Sequence, residues 1–270
     1  MNVLNHIFKE VSKQEMDHVY QPMWNLGNWK VFGFEALLRF PDGSYEGSIE
    51  DVFRRARENG FLFELDTLSI SKAINSFPIH LLEDEFLFVN LYPSTLLHEK
   101  FEDFLCTLLD RYPKVKRKIV FELNETQDED YVWDIPELKE KVSMLREYGF
   151  LVALDDIGKG AATLQKIIEF SPNFIKLDRY FANELYLSKE KQDMISLLVQ
   201  YSDDKMGLIL EGIEKDVDLA QAKLLNVPFA QGYLLGTPDR VYFNKYTGAF
   251  KNSYMDNIFE QSSPVHSWGR

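Results

Sequence analysis

Apolar runs of strand length recur along this chain, and their spacing sets the fold. H-V-Y-Q-P-M-W (18–24) and V-F-G-F-E-A-L-L-R-F (31–40) flank a turn around Asn25, Gly27 and Asn28, the spacing of a hairpin. P-D-G (41–43) marks a further turn, and Ile49–Asn59 and Leu62–Phe77 read as helices separated by Gly60. Strand-like and helix-like stretches then alternate. F-L-F-V-N-L-Y (86–92) precedes a helix near 100–111, K-I-V-F-E-L-N (118–124) one near 136–148, and 150–155 one near 162–170. F-I-K-L-D (174–178) precedes a helical segment running to about 203, G-L-I-L-E-G (207–212) precedes one at 215–225, and F-A-Q-G-Y (229–233) closes the series.

The strand runs are nearly continuous in apolar residues, the pattern of strands covered on both faces of a parallel sheet. A hairpin followed by such β-to-α steps predicts a (β/α)8-type barrel with an irregular start, an open doubly wound sheet being the alternative. No linker interrupts the pattern, so residues 1–245 are expected to form one domain. Residues 3–12 suit a short amphipathic helix, and T-Q-D-E-D-Y (126–131) a solvated loop. Residues 246–270 read as a tail, left open between docking and partial disorder.

Composition narrows the function. With 270 residues, 45% of them hydrophobic, the chain can bury a large core. Its net charge of −13 argues against binding to duplex nucleic acid or to anionic membrane. No run approaches the ~18 apolar residues of a membrane span, and no secretory leader is evident, so a cytoplasmic protein is expected. The single cysteine, Cys106, lies in F-L-C-T-L-L and is expected to be a buried structural thiol.

Candidate chemistry sits where the strands end. L-V-A-L-D-D-I-G-K-G (151–160) is an apolar run that stops at two adjacent carboxylates, Asp155 and Asp156. Such a pair repels itself unless a cation lies against it. The other runs carry Glu35, Asn90, Glu122, Lys176, Glu211 and Gln231 in turn. Taken singly, each reads equally well as a cap or loop residue; as a series, they point to one barrel mouth. Oxygen ligands without clustered histidines favour Mg2+ or Mn2+ over zinc, and this many carboxylates can hold two ions sharing one aspartate. Two such ions beside a lysine suit phosphodiester hydrolysis. G-K-G-A-A-T after the Asp pair fails as a dinucleotide fingerprint, because Thr163 stands at the third glycine position.

The ordered motifs F-E-A-L-L-R (34–39), V-N-L-Y-P (89–93), F-E-L-N-E-T (121–126), A-L-D-D-I-G-K-G (153–160), F-I-K-L-D (174–178), L-E-G-I-E (210–214) and A-Q-G-Y (230–233) resemble the signature of EAL-domain cyclic di-GMP phosphodiesterases. The resemblance spans roughly residues 15 to 240. It implies a modified TIM barrel with one antiparallel strand near the start, and hydrolysis of cyclic di-GMP to linear pGpG with Mg2+ or Mn2+. By position, Glu35, Asn90, Glu122 and Asp155 would hold one metal, and Asp155 with Asp156 a second. Glu211 resembles the general base, and Lys176 the residue that orients the attacking water. Gln231 would lie against that site, with Gln21, Arg39 and Asp178 contacting the dinucleotide. Glu125 matches a glutamate that steadies the loop after the Asp pair, a loop tied in this family to dimerisation.

Departures cluster in that loop. Members usually carry D-D-F-G-T-G-Y-S-S-L where this chain has D-D-I-G-K-G-A-A-T-L, so that Ile157, Lys159, Ala161, Ala162 and Thr163 differ. Ile157 keeps an apolar anchor with less area than phenylalanine. The altered loop leaves a second reading open: a catalytically weak cyclic di-GMP receptor that signals through a protein partner.

Overall fold

In a computed structural model, which describes residues 16–40, 48–79, 82–124, 127–158, 163–244 and 249–251, the apolar runs become the strands of one closed barrel. The expected helix at 3–12, the turn at 41–43 and most of the tail lie outside the described residues. Strand β1 (Asp17–Asn25) turns back into β2 (Lys30–Arg39), with the Asn25 side chain accepting the backbone N–H groups of Gly27 and Asn28. β1 runs antiparallel to both of its neighbours, β2 and the last barrel strand. The remaining strands are parallel and follow chain order: β3 (Phe86–Leu91), β4 (Ile119–Leu123), β5 (Leu151–Ile157), β6 (Phe174–Leu177), β7 (Gly207–Leu210) and β8 (Phe229–Gln231). The doubly wound alternative is thereby excluded, since β8 closes on β1.

Helices cover the outside. α1 (Ile49–Glu58) begins at a reciprocal cap between Ser48 and Asp51. The chain leaves it through Gly60, whose φ of 74° is the left-handed conformation that glycine adopts without strain, and enters α2 (Leu62–Ser76). Then follow the short α3 (Pro93–Leu96), α4 (Phe101–Arg111), a 3₁₀ segment (Gln127–Asp134), α5 (Pro136–Glu147) and α6 (Thr163–Phe170). The helical stretch expected to run to about 203 divides in two. Asp178 caps α7 (Arg179–Ala182), and Ser188 opens α8 (Lys189–Ser202) by accepting from Lys191 N. α9 (Asp216–Leu224) leads to β8. Beyond the barrel, β9 (Tyr242–Asn244) and β10 (Ala249–Lys251) form a small antiparallel pair, which the unpatterned sequence there did not signal. Among the described residues, no helix is long and apolar enough to cross a membrane.

Two expectations are corrected. Cys106 is exposed, because α4 buries Phe101, Leu105 and Leu108, and the residue next to Leu105 turns about 100° away from that face. The acidic stretch 126–131 is not wholly solvated: Glu129 is completely buried in the 3₁₀ segment.

Asp66 on α2 is also buried, where its carboxylate accepts the backbone N–H of Tyr92 just past β3. Burial raises its pKa from 3.8 to about 7, Glu129 adds to the rise, and the Tyr92 bond and Arg57 oppose it. The folded protein therefore holds this proton more tightly than the unfolded chain between about pH 4 and pH 7. Asp66 thus supports the fold most at low pH, and that support fades as pH rises through 7. Urea midpoints measured across this range are expected to fall less in Asp66→Asn than in wild type; equal slopes would contradict the assignment.

Candidate functional site

Strand periodicity builds the site in two layers. Inside the barrel, Met23, Phe88, Val120, Ala153, Phe174 and Ile209 form one buried cluster that plugs its lower part, with Phe32 stacked on Phe229 at 3.8 Å beside it. Side chains two residues apart share a strand face. One step above the plug, the same strands therefore present Gln21, Asn90, Glu122, Asp155, Lys176 and Glu211. Glu35 joins them from its register position opposite Gln21, and Asn90 pairs in register with Glu122.

Lys176 is the centre of this layer and is completely buried. Its ammonium lies 2.7 Å from Glu211, 2.8 Å from Glu122, 3.3 Å from Asp155 and 3.5 Å from Glu35. Burial works against its charge, but Asp155, Glu122, Glu211 and Glu35 together override that and hold its pKa well above the usual lysine value. The same burial raises Glu122 well above an ordinary carboxylate, with Glu35 and Asp155 adding to the rise and Lys176 opposing it. Glu211 is pushed up to about 8, first by burial and then by Asp155 and Glu35. Gln231 donates to Glu35 at 2.6 Å and to Gln21 at 3.1 Å, and Gln21 donates to the Gly236 carbonyl at 2.9 Å.

The adjacent aspartates reach the mouth together because β5 breaks register there. Its pairing with β6 shifts between Leu154 and Ile157, and Asp156 takes a left-handed φ of 56°. Regular alternation would send the two carboxylates to opposite faces; the irregularity removes that constraint, at a cost of about 1–2 kcal/mol for a non-glycine residue. Ile157 behind them is buried in the main core, so it serves as the apolar anchor its sequence position suggested. Oxygens of Asp155, Asp156 and Glu211 come within 4.8 Å of one another. Among the described residues, Glu122 Oε2 and the Gln231 side-chain oxygen are buried without a hydrogen-bond partner, while Glu122 Oε1 meets the Lys176 ammonium. An all-oxygen donor set with unpaired buried acceptors fits a hard cation.

Cavities flank this layer. One of about 280 Å³ is lined by Gln21, Asp178, Glu211 and Gln231, and one of about 340 Å³ by Arg39, Asn90, Asn124 and Asp156. Glu35 and Asp156 border both. Asp178 also caps α7 by accepting from Tyr180 N, and Arg39 is exposed, donating to the Leu38 carbonyl. Glu125 and Lys159 lie outside the described residues. Asn124 was missed as a site residue: its amide donates to Asn90 Oδ1 at 2.7 Å. Its place two residues after Glu122 is the signal that identifies it, since it continues the inward face past the strand end.

Fold and site together define an α/β barrel protein with an acidic mouth suited to a cation. The chain belongs to the EAL domain family, whose family model matches residues 4–238. It is 27% identical over 219 residues to the probable cyclic di-GMP phosphodiesterase PdeB of Escherichia coli K12, covering 80% of this chain and 41% of that protein. Against the cyclic di-GMP phosphodiesterase RocR of Pseudomonas aeruginosa it is 29% identical over 247 residues, covering 86% of this chain and 59% of the relative. The chain thus spans less than two thirds of either relative's length. Among solved structures, the complex of the PaMucR phosphodiesterase with c-di-GMP aligns with a TM-score of 0.75 at 22% identity, over 87% of this chain and 97% of that one. A manganese/c-di-GMP complex of Klebsiella pneumoniae BlrP1 aligns at 0.71 and 25% identity, over 84% of this chain and 56% of that one.

Replacing Lys176 by methionine leaves the buried carboxylates without their ammonium. Urea unfolding in the presence of chelator is expected to show a loss of about 3–5 kcal/mol, the cost of an unmatched buried charge. A loss below about 1 kcal/mol would show that the ion cluster is not a strong constraint on the fold.

Proposed function

We propose that this chain is a metal-dependent phosphodiesterase that opens cyclic di-GMP to linear pGpG. The observation that carries the reading is the charge imbalance of the mouth. Fully ionised, Glu35, Glu122, Asp155, Asp156 and Glu211 exceed Lys176 by four charges, the charge of two divalent cations. Glu35, Asn90, Glu122 and Asp155 are assigned to one ion, and Asp155 with Asp156 to the other, Mg2+ and Mn2+ being the candidates. Bound there, the ions would supply charge neutralisation of the phosphate and a lowered pKa for a coordinated water.

The rest falls to the protein's own residues. Glu211 accepts a proton from the attacking water, a role its place beside Lys176 and within 4.8 Å of Asp155 and Asp156 supports. Lys176, in direct contact with Glu211 at 2.7 Å, orients the base and the water beside it. As water adds to phosphorus, one P–O bond of the ring breaks and its oxygen leaves, protonated from solvent. The flanking cavities receive the two halves of the dinucleotide, with Gln21, Asp178 and Gln231 on one side and Arg39 on the other. This support is local to the chemistry, so it favours an enzyme over a receptor that keeps the ligand and forgoes the base.

A homodimer completes the proposal. α6 exposes Leu164 and Ile168, four residues apart, and α8 exposes Met194, Leu197 and Tyr201 on one face. Apolar stripes of this kind need a partner surface. Residues 1–245 are proposed as the catalytic domain, working in the cytoplasm.

Purified protein incubated with cyclic di-GMP and Mn2+ or Mg2+ at mildly alkaline pH is expected to yield pGpG, and to scatter light with the mass of two chains. Glu35→Ala and Glu211→Gln should each lower the rate by about 100-fold or more. Binding of cyclic di-GMP without any pGpG would instead establish the receptor.

A further inference from the structure

Beside the metal-ligand layer lies a buried ion pair that the proposed reaction does not use. The Glu129 carboxylate is completely buried and accepts from Arg57 Nη2 at 2.9 Å, from the Ser94 backbone N–H at 3.2 Å and from the Ser94 hydroxyl. Three elements meet there: the 3₁₀ segment after β4 supplies Glu129, α1 supplies Arg57, and the start of α3 after β3 supplies Ser94. The Arg57 guanidinium also lies 5.2 Å above the Tyr92 ring, which stacks on Phe53 at 4.9 Å.

Its place along the chain gives the cluster its meaning. Ser94 follows Asn90 by four residues, and Glu129 follows Asn124 by five. The exits of β3 and β4 are therefore tied twice: at the mouth by Asn124 donating to Asn90 Oδ1 at 2.7 Å, and farther out by Ser94 on Glu129. In the inner tie the Asn90 oxygen faces Asn124, with a second lone pair left for a cation. Among the described residues, buried Asn124 Oδ1 has no hydrogen-bond partner, and Asn124 lines the same cavity as Glu35, Asn90 and Asp156.

We infer that Glu129, by tying the exit of β4 to that of β3 through Ser94, is a positioning residue that, with the Asn124–Asn90 bond, holds the Asn90 amide oxygen in place for a divalent cation. The inference rests on the phosphodiesterase reading, but only on its metal site. Loss of Glu129 lets the two strand exits drift apart, and Asn90 Oδ1 turns with them. Residues that orient a metal ligand typically contribute 10–100-fold in metal affinity.

The test is calorimetric titration of the full chain with Mn2+ alone. Wild type is expected to bind; Asn124→Ala and Glu129→Gln should each weaken binding about tenfold. The double variant should be no weaker than the weaker-binding single, because both act through one amide. If Glu129→Gln does not fold, Ser94→Ala, which removes one hydroxyl, takes its place with the same expectation. A variant that lowers the unfolding temperature yet keeps wild-type Mn2+ affinity overturns the inference and leaves Glu129 a structural ion pair. Multiplying losses in the double variant overturn it as well. A wild type that does not bind Mn2+ overturns the metal site, and the inference with it.

Discussion

Everything at the mouth of this barrel depends on one constraint: a fully buried ammonium, Lys176, set among four carboxylates that it cannot neutralise alone. Burying charge is costly, and burying an excess of one sign costs more. Lys176 meets part of the excess and leaves the rest as a standing attraction for cations. The pKa values of Glu122 and Glu211 are raised first by burial and then by the neighbouring carboxylates, so protons are held there as well. On this view, metal binding replaces protons at carboxylates that the fold already holds together, so the cost of assembling the site is met in folding.

The barrel makes such an assembly inexpensive. Parallel strands that share a packed apolar layer place the next residue on the same face at equal height, and β3 to β7 contribute to the polar layer in this way, with antiparallel β1 adding Gln21. Where the periodicity is insufficient, at Asp155 and Asp156, a register shift and a left-handed aspartate supply the extra carboxylate. Away from the mouth, Glu129 with Arg57, and Asp66 with the Tyr92 N–H, fix the strand exits from outside. The strand ends are thus clamped between an apolar plug below and polar ties around them.

Much of this was legible in the sequence. Apolar runs with polar ends gave the strands within about two residues, and the period-two relation makes Glu122 or Lys176 a mouth residue once its run is known. What escaped has a common cause. Cys106 looked buried because its neighbours are apolar, yet a helix turns adjacent residues apart by about 100°. Glu129 looked solvated because its neighbours are acidic, while its partners, Arg57 and Ser94, lie 72 and 35 residues away. The break between α7 and α8 was hidden because short caps such as Asp178 and Ser188 leave a weak local mark. Local pattern reads faces well; it does not read which distant group comes to meet a charge.

The central claim is that the acidic layer is a two-cation site centred on Asp155. Diffraction at the manganese absorption edge, from crystals grown with Mn2+, tests it most directly. The account predicts two anomalous peaks in the mouth, one among Glu35, Asn90, Glu122 and Asp155 and the other against Asp156, both lost in Asp155→Asn. A mouth without anomalous density at saturating Mn2+, or peaks that survive the loss of Asp155, would contradict it.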